Sequence, residues 1–161
     1  MSVIADILNV AKSRLDQVKI DNGFRVDVEE VVLPQHRVTE YTPCDHTIVV
    51  LAGDPVRAET YDRPGNPPAI GYMLPIRVNC IVIPSESSTE SQDQITTRLA
   101  EDAIRSITRV PDWHQFGGIC VNSTVGQPVP FRSDDLSPGG IKFEISAFYR
   151  VSETNPSEVR G

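Results

Sequence analysis

The most constraining feature of this chain is a regular alternation near its end. Ile141, Phe143, Ile145, Ala147, Tyr149 and Val151 alternate with Lys142, Glu144, Ser146, Phe148 and Arg150. Successive side chains of a strand point to opposite faces, so this pattern requires an extended strand with one covered face. Such alternation is the habit of antiparallel sheets, which leave one side in water. A second, longer alternation sets Tyr72, Leu74, Ile76, Val78, Cys80 and Val82 against Met73, Pro75, Arg77 and Asn79. Pro75 has no N–H to give a neighbour, so this strand is expected to be at an edge, or bulged, at that point.

Two segments carry the helical period instead. Ile4, Ile7, Leu8, Ala11, Leu15 and Val18 place a helix over 2–20, with Ser2 as N-cap and Asn22-Gly23 supplying the positive φ that ends it. Ile95, Leu99, Ala103 and Ile107, with Ile104 alongside, place a second helix over 90–109. Thr89 and Gln92 are spaced as a capping box, and Pro111 marks the stop. Shorter strand signals lie at Phe24, Val26 and Val28, broken at Glu29-Glu30, and in the apolar run 47–52, expected to be covered on both faces. A further signal is Ile119, Val121, Ser123 and Val125. The order α-β-β-β-α-β-β predicts an α+β fold: a single domain over 1–151 with a mostly antiparallel sheet and two helices packed on one face. Residues 53–69, with four prolines in seventeen positions, and 126–140 are expected to be long loops, and 152–161 a polar tail.

A chain of 161 residues buries about 70 % of its unfolded surface, so its core needs neither disulfide nor metal. The net charge of −7 disfavours a sequence-reading nucleic-acid binder, which works through Lys and Arg. It leaves room for passive contact with DNA. Five acids against Arg98 put −4 of that charge in 84–102, where Glu86, Glu90 and Asp93 lead into the second helix and suit its dipole. No run reaches the eighteen or so apolar residues of a membrane span. The first segment reads as an amphipathic helix packed on the sheet rather than a signal peptide. Cys44, Cys80 and Cys120 are odd in number and without C-x-x-C spacing, which fits reduced thiols.

Cys44, Asp45 and His46 are the one cluster with a thiol, a carboxylate and an imidazole together. Nothing around them matches a catalytic motif, and a turn entering a strand is the ordinary reading. His36, His114, Cys80 and Cys120 lack the paired spacing of a zinc site, and the two strand cysteines read as small core residues. Asp134-Asp135 lacks the offsets of a calcium loop, and the Gly-Gly pairs belong to no phosphate-binding motif. No catalytic residue, cofactor or metal is assigned.

The remaining candidates are contact residues. Trp113 and Phe116 have two readings, a loop packed on the core or an anchor at a protein interface. Tyr61 and Arg63 sit in the Pro-rich loop, with nothing in the sequence to hold it on a small domain, and are expected at an interface. Phe131, Arg132 and Arg150 join them as candidate subunit or partner contacts.

The chain resembles the tail-terminator (tail-completion) proteins of long-tailed bacteriophages, of the minor tail protein U type. The likeness runs from the N-terminal helix closed by Asn22-Gly23-Phe24 through Leu74-Pro75-Ile76-Arg77-Val78 and Leu99-Ala100-Glu101-Asp102-Ala103-Ile104. It ends with Phe148-Tyr149-Arg150-Val151 and the polar Asn155-Pro156 tail. The loop at 53–69 and the acidic stretch before the second helix depart from the family pattern. The resemblance implies a virion protein of the tail or neck, assembled in the host cytoplasm. It implies a homo-oligomer, a six-fold ring that caps the tail tube protein, stops tube polymerisation and meets the head–tail connector or neck protein. DNA would pass passively through the bore, with Glu86, Glu90 and Asp93 as candidate bore-facing acids. The family brings no catalytic motif. A head-side neck or head-completion protein is the alternative within this class. Outside it stand a small cytosolic enzyme using Cys44 and His46, and a ligand-binding domain.

Overall fold

A computed structural model of the chain describes residues 2–33, 46–83, 91–131 and 140–159. Cys44, Asp45, His36, Glu86, Thr89, Glu90, Arg132 and Asp134-Asp135 lie outside the described residues. The elements in order are α1 (Val3–Leu15), β1 (Glu30–Val32), β2 (His46–Ala52), β3 (Val56–Arg57), β4 (Ala69–Val82), α2 (Gln92–Thr108), β5 (Cys120–Val125), β6 (Val129–Phe131) and β7 (Gly140–Ser152). The fold is α+β, with a sheet in the order β1-β2-β4-β7-β5. β3 continues β2's side of β4, and β6 continues β5's side of β7. All pairings are antiparallel except β1 with β2.

The long pairing of β4 with β7 is the spine, and its register explains both alternations. Leu74 faces Ala147, Ile76 faces Ile145, and Val78 faces Phe143, so one apolar face continues across the two strands. Both helices cover that face: Ile7, Ala11 and Leu15 of α1 and Leu99, Ala103 and Ile107 of α2 join the same fully buried cluster. Pro75 lies where the local-edge expectation requires. Its carbonyl accepts from Gly53 N, so its missing N–H faces the side on which β2 stops at Ala52 and β3 has yet to begin. The apolar run of β2 is buried on both faces from Thr47 to Val50, and Leu51 and Ala52 are exposed.

Several expectations are corrected. The first helix is shorter than 2–20. It ends at Leu15, and a separate 3₁₀ turn, Ile20–Asn22, closes at Gly23 with φ +90°. Val18 stays buried because its carbonyl accepts from Val28 N, an extended pairing that a continuing helix would forbid. Phe24, Val26 and Val28 are buried in alternation but form no strand. The amides of Arg25 and Val26 are taken by the Asp102 carboxylate at 2.7 and 3.2 Å, leaving them nothing to give a ladder. The strand is instead β1, at the very residues where the alternation broke. In β5 the expected face of Ile119, Val121, Ser123 and Val125 is interrupted by a bulge between Cys120 and Asn122. The bulge turns Cys120 and Ser123 inward, three residues apart. α2 is capped by Ser91, whose hydroxyl accepts from Gln94 N.

Candidate subunit interface

The segment 53–69 is not an unsupported loop, contrary to the sequence expectation. It carries β3 and a 3₁₀ turn, Glu59–Tyr61, and three interactions fasten it to the sheet. Arg57 and Asp62 form a two-pronged ion pair, 2.5 and 2.7 Å. Arg57 also donates to Gly71 O, and Gly71 N returns a bond to Asp62 Oδ1 at 2.8 Å, locking the pair onto β4. Both charges are exposed. The guanidinium and the Gly71 amide hold the Asp62 carboxyl down at about 2, and the carboxylate raises Arg57. The turn then lies over Gly71, where a Cβ would meet Ala58 O at 2.5 Å and Tyr61 Cβ at 2.7 Å. Only a glycine leaves room for this approach, so the residue at 71 decides whether the turn docks.

Tyr61 is held on the face of the sheet opposite the helices. Its ring stacks on Phe148 with centroids 4.5 Å apart, its hydroxyl accepts from Asn122 Nδ2 of β5, and its carbonyl accepts from Arg150 Nε at 2.5 Å. Tyr61 and Arg150, eighty-nine positions apart, therefore meet at the outer end of β7 beside β5. Arg63 is exposed, and its backbone exchanges both hydrogen bonds with Ala69.

Trp113 approaches the same strand from the other face. It opens the 3₁₀ turn Trp113–Gln115, which packs on β5 through Ser123 Oγ donating to His114 O. The indole is half-buried against the core. Phe116 is a core residue, fully buried, so the packed reading holds for it and it offers no exposed contact. It and Asp112 take positive φ, 45° and 57°, to fold the turn back. Arg14 secures the arrangement from α1. It donates to Trp113 O at 2.9 Å and lies over the Phe116 ring, 4.9 Å from its centroid, and burial lowers its pKa. Arg14 follows Ile7 and Ala11 at helical spacing, so its place beside the apolar stripe is a signal present in the sequence.

Phe131 ends β6, on the same side of β7 as β5, with its ring over Gly140. Tyr61, Trp113 and Arg150 thus meet, from three distant parts of the chain, beside β5 at one edge of the sheet, while Phe131 lies far along the same edge, opposite Gly140. Among the described strands β5 pairs with β7 alone. The polar tail, by contrast, returns to its own domain: Ser152 N donates to Glu158 O, and Val159 bridges Val151.

The acidic stretch divides. Asp93 is exposed in the first turn of α2. Glu101 pairs with Arg25 at 2.6 Å. Asp102 is buried, 1 % exposed, and also accepts from Arg25 Nε. It lies at heptad spacing from Ile95 inside the apolar stripe of α2, a buried-carboxylate signal that the charge count concealed.

The chemistry of the other candidates is quiet. Burial pushes the Cys80 and Cys120 thiols up to about 12, which keeps both protonated. His46 opens β2, and its carbonyl accepts from Glu29 N. Among the described residues no three His, Cys, Asp or Glu side chains gather as a metal site, and no helix is long and apolar enough to cross a membrane. No family model matches the sequence, and no curated protein matches it.

Proposed function

We propose that this chain is a structural subunit of a long-tailed bacteriophage virion, of the tail-terminator kind. Copies close into a ring on the end of the tail tube, stop its polymerisation and present the joint to the head connector, with DNA passing through the bore. The subunit makes and breaks no covalent bond. One observation carries the reading furthest: Tyr61, Trp113 and Arg150, far apart in the sequence, meet beside β5, where Tyr61 and Trp113 flank the strand from opposite faces. Among the described strands the opposite edge of the sheet is β1, short, parallel and different in kind. A closed ring needs two unlike surfaces on each copy, the one meeting the other at every joint. Unlike edges at the two ends of one sheet meet that need. Supporting this is the resemblance in sequence, whose later strand, helix and strand segments lie in β4, α2 and β7.

In the ring, Arg63 and Arg150 would accompany Tyr61 at the joint. Glu86, Glu90 and Asp93 are the acids proposed to face the bore. Net negative charge there lets a phosphate backbone slide by without being held.

Deleting the gene from the phage that carries it tests the reading, with electron micrographs of the particles. Tubes of unregulated length are expected. Tails of normal length that fail to join heads would move the protein to the head side of the neck. Normal infectious particles would refute both.

A further inference from the structure

An asparagine followed by a glycine can be attacked by its own main chain, because glycine has no Cβ to hinder the approach. The sequence holds six asparagines, and Asn22 alone precedes a glycine; Asn66 and Asn155 precede prolines, which have no N–H to react. In the folded chain both reacting groups of Asn22-Gly23 are engaged elsewhere. Gly23 N donates to Ile20 O at 3.0 Å, and Asn22 Nδ2 donates to Gln17 O at 2.9 Å. Asn22 ends the 3₁₀ turn Ile20–Asn22. Attack needs rotation about its Cα–C bond out of the helical range, which breaks the bond from Gly23 to Ile20. α2 holds the corner shut from its own side. Arg109 Nη1 donates to Asn22 O at 3.2 Å, and Arg105 Nη1 donates to Gly23 O at 3.3 Å. The two guanidinium groups also lie over the buried Phe24 ring, 4.9 and 5.2 Å from its centroid. Asn22 is exposed, so water reaches it, and conformation rather than cover restrains it.

We infer that Asn22 is a site of spontaneous, one-way deamidation, gated by opening of the 19–24 corner away from α2. Gly23 N gives its proton to water and attacks Asn22 Cγ. An N–Cγ bond forms, the Cγ–Nδ2 bond breaks, and ammonia leaves with a proton from water, closing a cyclic imide. Water then opens the ring at Cγ to leave an aspartate, or at the main-chain carbonyl to leave an isoaspartate whose main chain runs through Cγ. The net change is water taken up and ammonia released, with nothing oxidised or reduced. Reaction passes through the open corner, where the arginine bonds are already broken, so its rate follows the open fraction. The product works against closing again. An aspartate at 22 has no donor for Gln17 O and adds a carboxylate next to Asp21. An isoaspartate lengthens the main chain and displaces the carbonyl that Arg109 holds. Each chain thus keeps a permanent mark of the time its corner has spent open. The inference does not rest on the ring reading.

Peptide mapping by mass spectrometry tests it, following conversion over time in mildly alkaline buffer. The samples are the native protein, the protein unfolded in guanidinium chloride, and native Arg105→Ala/Arg109→Ala and Gly71→Ala variants. Circular dichroism verifies the fold of each native sample, and chromatography separates the aspartate and isoaspartate peptides. The unfolded chain is expected to convert at Asn22 before any other asparagine. The native protein should convert there about a hundredfold or more slowly. The double variant should convert about tenfold faster than the native wild type, because two bonds from charged donors and their contacts with Phe24 are lost. Gly71→Ala disturbs the 59–61 turn instead, and should convert at the wild-type rate, which separates opening of this corner from unfolding of the whole domain. Four results would each overturn the inference. They are a native protein that converts as fast as the unfolded chain, an unfolded chain that converts first at another asparagine, a double variant no faster than the wild type, and a Gly71→Ala protein as fast as the double variant.

Discussion

Replacing Asp102 should be the most damaging single change away from the apolar core. Its carboxylate, on α2, holds the backbone of 25–26, the stretch that runs from the first helical layer to β1. It accepts from Arg25 N at 2.7 Å, Val26 N at 3.2 Å and Arg25 Nε at 3.2 Å, at an exposure of 1 %. Asp102→Ala removes all three acceptors at once. Arg25 is exposed and turns to water, so losing its two bonds costs about 1–2 kcal/mol. Val26 is buried, and leaving its N–H without a partner adds about 1–3 kcal/mol. The total is about 2–5 kcal/mol, which for a domain of this size lowers the melting temperature by about 4–20 °C. Asp102→Asn keeps the shape and one acceptor oxygen, and should lose about half as much. Glu101→Ala is the control. It breaks an ion pair whose members are both about half exposed, and should cost less than about 1 kcal/mol. Urea unfolding followed by tryptophan fluorescence measures all three. If Asp102→Ala falls within about 1 kcal/mol of Glu101→Ala, the carboxylate is not what fixes this segment, and the explanation for its missing strand fails with it.

Gly71→Ala should lift the 59–61 turn from the sheet, because the new methyl would sit 2.5 Å from Ala58 O and 2.7 Å from Tyr61 Cβ. A loss of about 1–3 kcal/mol, with new protease cleavage inside 53–69, is expected, and a variant as resistant to cleavage as the wild type would contradict the docking described here. The Cys80 and Cys120 thiols, raised by burial from 9.0 to about 12, should label about a thousandfold more slowly in the native protein at pH 8 than in the unfolded chain, as read by mass spectrometry of the labelled peptides. Because the folded state favours the protonated thiol, its contribution to stability is complete below pH 9 and is lost as pH rises from there towards 12; unfolding curves unchanged across that window would be the contrary result.

The elements whose signal is local and repeated are legible in the amino-acid order alone. The alternations of β4 and β7, the four-residue spacing of α2 and the positive φ at Gly23 follow from side-chain direction and backbone sterics, which need no distant partner. They were enough for the fold class and for the missing donor of Pro75. Long-range contacts govern the places where a distant group competes for the same backbone atoms. Phe24, Val26 and Val28 alternate as a strand does, yet Asp102 takes the amides of Arg25 and Val26, and the ladder begins only at Glu30. The Pro-rich stretch 53–69 has no period to read, and it docks because Gly71 leaves space, Phe148 offers a ring, and Arg57 and Asp62 close on each other. Phe116 has two readings in the sequence, core or contact, and it is a core residue because the turn folds back and Arg14 lies over its ring. The meeting of Tyr61, Trp113 and Arg150 beside β5 likewise depends on which strands lie beside β7. That is set by pairings across the whole chain, and no window of the sequence contains it.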